Sequence, residues 1–379
     1  KKGKIRMTTE IKRDGKADWD LRLGENNYTY SEAQSLFKRE HLGDIKAEQR
    51  VWEGYFDEAM GAEFLALSES FIKPMPNLVQ KSWGGDLIER LKQMEPTGRK
   101  IGESWESSAY PGNSSKIMVK GVEVPLIHLL NQASDSILGE TVSRKFRGEM
   151  PILLKFIDSK SDLSVQVHPT DEQAEELDEI DSGKNEAWLI IDSKKGSGIY
   201  LGFKEDVSDI ESIDVDKMNF VPVEPGDLFR IPAGTIHAIG NGIFLFEIQQ
   251  SSNLTYRVWD WDRLPRRELH LKKAEKVINF AISKIDEFKV PVEKRPSKED
   301  LLLDTPYFTL KSLKLTKGDV SEESTEGSFI ILISLEGEVE VISGNEVESL
   351  CKGESLLVPA SISSYKIKAT SDARILKSW

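Results

Sequence analysis

Two stretches of this chain carry one pattern. Gly226-Asp227-Leu228-Phe229-Arg230-Ile231-Pro232-Ala233 aligns with Gly353-Glu354-Ser355-Leu356-Leu357-Val358-Pro359-Ala360 without a gap. A turn glycine, an apolar run long enough for one strand and a closing proline recur in the same order, as expected of two related β units. The surroundings agree. From Pro151 onward, short β-rich runs (ILLKFI, LSVQV, AWLII, GIYLGF, FVPV, DLFRI, IFLFEIQQ) alternate with turn residues, the texture of a sandwich or barrel. On the alignment His237 falls opposite Ser364. The expected fold is mainly β, with two related barrels, the first holding a functional histidine and the second lacking it.

Helical patterns interrupt this texture. Thr170 is a candidate N-cap with Gln173 three residues on, a capping box. Ala174, Leu177 and Ile180 then form an apolar stripe under the acids of DEQAEELDEID, which read as a solvated face. The segment LKKAEKVINFAIS (271–283) closes the first β region, and a longer helical spacing runs from about Asp44 to Phe71 before Pro74 and Pro76 break the chain. The expected organisation is an N-terminal helical extension over 1–75, a catalytic domain with a helical insert over 76–287, and a second domain over 288–379.

The formal net charge of −13 argues against nucleic-acid or anionic-membrane binding, since both need positive surface. It leaves room for a small basic pocket around one phosphate. Cys351 is the single cysteine. It excludes an intramolecular disulfide and a cysteine-rich zinc site, and it points to a reducing cytoplasm. No apolar run reaches 18 residues, and the basic first residues lead into no apolar stretch, so neither a membrane helix nor a signal peptide is expected.

The chain has five histidines. In Gln166-Val167-His168 the two polar residues share one strand face. A histidine there is either a satisfied core residue or a ligand. His237 lies in Gly226-x₅-Pro232-x-Gly234-x₂-His237-x₃-Asn241, which matches the second motif of the cupin barrel. The first cupin motif is altered: Gln166-x-His168 stands where many cupins have His-x-His, and its acid, Glu186, follows the acidic helix.

Four blocks in order, QVHP (166–169), KNEAW (184–188), PAGTIHAIGNG (232–242) and EIQQSSNLTYRVWDWDR (247–263), resemble the type I phosphomannose isomerase family. KSWGG (81–85) and IGESWE (101–106) resemble the start of its catalytic domain, and the likeness runs over about residues 76–379. The resemblance implies two cupin, jelly-roll-like barrels and one Zn²⁺ per chain held by Gln166, His168, Glu186 and His237. Two imidazoles and one carboxylate suit zinc, with a neutral amide as a weak fourth donor.

The implied reaction interconverts mannose 6-phosphate and fructose 6-phosphate through a cis-enediol, so the implied partner is a small sugar phosphate. Arg257 would lie near the reacting carbons, and Lys184 beside the metal ligand Glu186. Ser164 and Arg263 would contact the phosphate. Bland readings stand beside these: a structural salt bridge for Arg257, rim charges for Arg263 and Lys184, and an internal hydrogen bond for Gln166. One departure matters. Asn253 stands where short-chain members commonly have Asp, and an amide cannot serve as a general base. Glu247 and Glu106 are the remaining candidate carboxylates. A metal-retaining sugar-phosphate-binding cupin without turnover is the alternative. An iron-dependent oxygenase is disfavoured by the Gln ligand and the phosphate-site residues.

Overall fold

The computed structural model describes the backbone of residues 6–11, 17–23, 26–29, 58–291 and 299–379, and side chains from residue 63 onward. The chain divides into two compact units, Lys1–Leu67 and Ser68–Trp379.

In the first unit Arg6–Ile11, Ala17–Leu23 and Asn26–Thr29 form an antiparallel sheet, with Met7 opposite Leu21 and Thr9 opposite Trp19. The sequence reading expected only helix here. The signal it passed over is period-two alternation at Trp19, Leu21 and Leu23, with Asp14-Gly15 between the first two runs, a common hairpin dipeptide. Of the helical pattern over 44–71, Glu58–Leu67 is a helix. The part before residue 58 lies outside the described residues.

The second unit holds two pairs of sheets. In the first pair, the larger sheet runs in the order Lys289–Val290, Leu228–Ile231, Glu186–Ser193, Ile243–Gln250, Ile152–Ser159, Ile101–Glu106, Asn77–Gly85. The smaller runs Met218–Pro222, Gly198–Phe203, His237–Ile239, Val165–Val167, Tyr256–Trp259. Trp83, Trp188, Phe229 and Leu245 of the larger sheet pack with Leu201 and Ile239 of the smaller. Val167, Ala238 and Tyr256 join a second apolar cluster with Phe203 and Val277. Burial of this kind contributes roughly 1.5–3 kcal/mol per large side chain before entropy is charged against it.

In the second pair a five-stranded sheet, Glu299–Asp304, Thr309–Leu315, Ala373–Ser378, Ile330–Glu336, Ser355–Val358, faces a four-stranded one, Val320–Ser324, Ser364–Ala369, Val339–Ser343, Glu346–Leu350. Ser364–Ala369 alternates exposed and buried residues and sends Tyr365, Ile367 and Ala369 into the core, as a half-buried strand should. The internal repeat is structural. Leu228–Ile231 and Ser355–Val358 are strands at aligned positions, and Gly226 and Gly353 both precede them at positive φ, +96° and +81°.

Residues 68–75, placed with the extension on sequence grounds, pack on the second sheet pair. Phe71 enters its core, and Ile72 exchanges backbone hydrogen bonds with Leu357 at 3.0 and 2.8 Å. The capping box forms as expected: Gln173 N–H donates to the Thr170 hydroxyl at 3.2 Å, and Thr170 N–H donates to the Gln173 side chain at 3.0 Å. The helix ends at Glu176, however, and Ile180 is 70% exposed rather than part of a stripe. The helix expected over 271–283 spans Leu271–Val277 only. Among the described residues, no helix is long and apolar enough to cross a membrane.

Candidate metal centre and active site

Three neighbouring strands of the smaller sheet set a row of side chains. Gln166 is in register with His237 on one side and with Arg257 on the other. Glu186 comes from the facing sheet, at the start of Glu186–Ser193, and His168 follows directly after Val165–Val167. One donor atom from each of His168, Glu186 and His237 lies within 4.8 Å of the others. All three side chains are buried.

The backbone orients both imidazoles. His168 Nδ1–H donates to the Leu254 carbonyl at 2.8 Å, and His237 Nδ1–H donates to the Thr235 carbonyl at 2.9 Å. Each Nε2 therefore keeps its lone pair. His168 Nε2 lies 3.6 Å from Glu186 Oε2, and His237 Nε2 lies 3.3 Å from Oε1. Gly234, at φ +83°, turns the chain just before His237 and donates its N–H to the His168 carbonyl at 2.8 Å. A side chain at that φ would be strained. Gln166 Nε2 lies 3.4 Å from His237 Nε2, and the Ser164 hydroxyl donates to Gln166 Oε1 at 3.3 Å.

The electrostatics match this geometry. Burial, reinforced by Lys184, pushes His168 well below its ordinary pKa, and burial pushes His237 down to about 4. Both rings stay neutral, the form that binds metal. Burial pushes Glu186 up to about 7 against the pull of Lys184, whose ammonium lies 2.7 Å from Oε2. Neither Glu186 oxygen meets a well-aligned hydrogen-bond donor. A buried carboxylate left in this state is best stabilised by a cation. The donor set and the exposed lone pairs thus fit a divalent ion of the zinc type.

Behind Glu186 lies a second charged layer. Trp188 is in register with Glu247 and donates its Nε1–H to that carboxylate at 3.0 Å. Lys155 Nζ donates to Glu247 at 3.1 Å and to Gln249 Oε1 at 2.7 Å, and it sits 4.8 Å from the Trp105 ring centroid. Burial alone would raise Glu247, yet Lys155 and Lys184 hold it at about 2. Burial alone would lower Lys184, yet Glu186 and Glu247 hold it above its usual value.

Residues 72–187 match the model described as phosphomannose isomerase type I, catalytic domain, and residues 298–378 match the mannose-6-phosphate isomerase cupin domain. Mannose-6-phosphate isomerase ManA of Bacillus subtilis is 34% identical over 315 residues, 79% of this chain and 95% of that protein. The chain belongs to the type I phosphomannose isomerase family. The mannose-6-phosphate isomerase of Streptococcus mutans is 32% identical over 76% of this chain and 92% of its own length. The solved mannose 6-phosphate isomerase of Bacillus subtilis superposes with a TM-score of 0.69 at 29% identity, covering 82% of this chain and 99% of that one. A phosphomannose isomerase mutant from Salmonella typhimurium shares the fold at 18% identity and a TM-score of 0.70.

Membership in the phosphomannose isomerase family gives the remaining residues a frame. Arg257 Nη1 donates to the Glu268 carbonyl at 2.7 Å, while its Nε is buried without a partner. Arg263 Nη1 donates to Asp260 at 2.9 Å, and its Nη2 is bonded to the Asp162 carbonyl. Arg267, which the sequence reading missed, is also clamped to Asp260. Burial lowers the Arg257 pKa, and the charges of Arg267 and Arg263 lower it further. Two guanidinium groups, Arg263 and Arg267, thus share the single Asp260 carboxylate, and the charge of Asp260 also acts on the nearby Arg257. The RR pair following Pro265 was the available signal for Arg267.

Asn253 is exposed, and its backbone N–H donates to Asp181 at 2.7 Å. Asp181 also accepts from the Tyr110 hydroxyl at 2.7 Å. The acids of DEQAEELDEID are therefore not simply a solvated face. Asp171 accepts from Gly183 N–H at 2.8 Å, and Glu179 accepts from the Tyr256 hydroxyl at 2.9 Å. They tie the KNE block and strand Tyr256–Trp259 together. Glu106 is not part of the His168–Glu186–His237 cluster: Lys92 Nζ is 2.7 Å from its Oε1, and Lys92 also donates to the Gly353 carbonyl at 2.6 Å.

Proposed function

We propose that this chain is a metal-dependent aldose–ketose isomerase that interconverts mannose 6-phosphate and fructose 6-phosphate. The observation that carries the reading is the convergence of two neutral, backbone-oriented imidazoles on the buried Glu186 carboxylate. His168, Glu186, His237 and the Gln166 amide are the residues that would hold the ion, which we take to be zinc. When bound, such an ion polarises the sugar carbonyl and acidifies the adjacent C–H.

The chain's own groups supply charge and orientation around the substrate. The unpaired Arg257 Nε–H is in register with Gln166 and offers a fixed donor to the oxyanion of the cis-enediol(ate). The Lys184 ammonium, beside Glu186 and His168, offers a second positive charge at the same end. Glu247 acts as a positioning residue: Lys155 and Trp188 hold it ionised, and it in turn keeps Lys184 charged. Asp260 binds both Arg263 and Arg267 with a single negative charge, and with Arg257 near them a surplus of positive charge remains that suits a phosphate dianion. Ser164, beside Gln166, is the proposed hydroxyl contact to the same group. Phosphate binding can then orient the reacting end. A reducing cytoplasm suits a chain with one thiol.

A second reading, a sugar-phosphate-binding protein without turnover, draws on Asn253, which carries no base. A coupled assay separates the two. Zinc-replete protein should convert mannose 6-phosphate to fructose 6-phosphate, chelation should abolish the conversion and zinc should restore it. Binding of mannose 6-phosphate without conversion by the zinc-replete protein would refute the isomerase reading.

A further inference from the structure

The strand Tyr256–Trp259 is the outer edge of the smaller sheet in the first pair. An edge strand turns a row of backbone N–H and C=O groups away from its neighbour, and those groups need partners. Its ladder with Val165–Val167 is short and shifts register between Arg257 and Trp259. Arg257 therefore stands beside a break in the ladder, where strand pairing holds a residue less firmly.

One residue closes this edge. Arg257 N–H donates to His270 Nδ1 at 3.0 Å, and His270 N–H donates to the Arg257 carbonyl at 2.8 Å. The imidazole nitrogen stands in for the carbonyl of a further strand. Because both backbone groups of Arg257 point outward, its pair with Gln166 is the non-hydrogen-bonded kind, in which side chains approach closest. The guanidinium is tied to the same turn, since Nη1 donates to the Glu268 carbonyl at 2.7 Å. Nε remains as the buried N–H without a partner.

The turn that makes these contacts is itself held at both ends. Arg267 Nε donates to Asp260 at 2.8 Å. His270 leads directly into the helix Leu271–Val277, whose Ala274 and Val277 are buried in the cluster that contains Val167 and Tyr256. The His270 side chain does not cap that helix; its ring bonds the strand instead. Accepting an N–H requires a neutral ring with the lone pair on Nδ1. Burial, then the Arg257 charge, pushes the His270 pKa down; Lys273 acts the same way, against Glu268 and Glu179.

We infer that His270 is a positioning residue for turnover: its Nδ1 lone pair fixes the Arg257 backbone and thereby aims the unpaired Nε–H at the reacting end of the sugar. His270 acts through Arg257 alone. The inference rests on the isomerase reading given above.

The test compares three substitutions on the full chain. His270→Ala removes the acceptor. His270→Asn keeps one on the same atom, because its Oδ1 hangs on Cγ as Nδ1 does, whereas His270→Gln carries it one bond further out. With zinc-replete protein, His270→Ala and His270→Gln should lower kcat for mannose 6-phosphate about 10- to 100-fold. KM should move less than about 2-fold, and His270→Asn should return kcat to within about 3-fold of wild type. Added to Arg257→Ala, His270→Ala should cost nothing further, since the two act as one unit. Amide hydrogen exchange of residues 256–259, which needs neither metal nor sugar, should accelerate in the Ala and Gln variants and return to the wild-type rate in His270→Asn. If His270→Ala does not fold, the contrast between Asn and Gln carries the same test.

Absence of turnover by zinc-replete wild type would bring down the isomerase reading, and the role of His270 in turnover with it. Wild-type turnover matched by His270→Ala would overturn the His270 inference alone. So would equal losses in the Asn and Ala variants, a further loss on adding His270→Ala to Arg257→Ala, or unchanged amide exchange.

Discussion

The Lys184 ammonium lies 2.7 Å from Glu186 Oε2, with both side chains nearly inaccessible to solvent. It also stands 3.2 Å from His168 Nε2. A cation from the chain itself thus balances the one carboxylate of the His168–Glu186–His237 cluster. Lys184→Met should leave Glu186 buried and uncompensated, and destabilise the metal-free protein by about 3–5 kcal/mol. Added zinc should recover most of that loss, since it supplies the missing charge. Denaturant unfolding with and without zinc reads both numbers; equal destabilisation in the two states would show that Lys184 does not balance the site.

Arg257→Ala should lower kcat by about 10²- to 10³-fold, the scale seen on removing an oxyanion donor, with little change in KM. Arg263→Ala should instead raise KM for mannose 6-phosphate by ~10-fold, about 1.4 kcal/mol, and matter less for unphosphorylated mannose. Steady-state kinetics on both sugars separates the two. Matching signatures would make Arg263 what its contacts with Asp260 and the Asp162 carbonyl also allow, a structural clamp.

His128 lies on the helix Leu126–Leu138 and is 5% exposed. Burial pushes its pKa down to about 4. Above pH ~6.5 the ring is neutral in folded and unfolded chains and contributes no pH dependence. As pH falls through the window from 6.5 to 4 the unfolded chain binds the proton first, so stability falls, by about 3 kcal/mol in all. Stability therefore rises with pH across that window. His128→Leu should flatten this part of the curve. Unfolding free energy at pH 7 and pH 5 for both proteins checks it, and an unchanged difference would mean His128 is not responsible.

How much of this was legible in the sequence follows from which interactions are local. The repeat around Gly226 and Gly353 predicted paired strands because turn glycine, apolar run and proline act within eight residues. The Thr170 capping box is equally local and formed as read. The clustering of His168, Glu186 and His237 was legible because spaced motifs had to agree. The acids of DEQAEELDEID were misread because composition cannot show that Tyr110, Tyr256 and Asn253 fold back to meet them. The Asp260 clamp on Arg263 and Arg267, and the Lys155–Glu247–Trp188 layer, were invisible for the same reason: each pairs residues brought together by sheet register. The strands over 6–29 were legible in their alternation but were passed over for the basic charge beside them.

Asp181→Ala should release Asn253 N–H and the Tyr110 hydroxyl together. The segment carrying Asn253 and Leu254 should then loosen, and with it the Leu254 carbonyl that orients His168. Lost second-layer contacts of this kind weaken metal binding about 10- to 100-fold. Competition against a zinc chelator measures that affinity directly, and an unaltered value would detach Asp181 from the site.

The central claim is tested most directly by metal content and isomerase rate determined on the same preparations of wild type and His237→Ala. Wild type should hold about one zinc per chain and convert mannose 6-phosphate to fructose 6-phosphate; His237→Ala should lose both together. Full zinc occupancy in His237→Ala, or full turnover by metal-free wild type, would contradict the account.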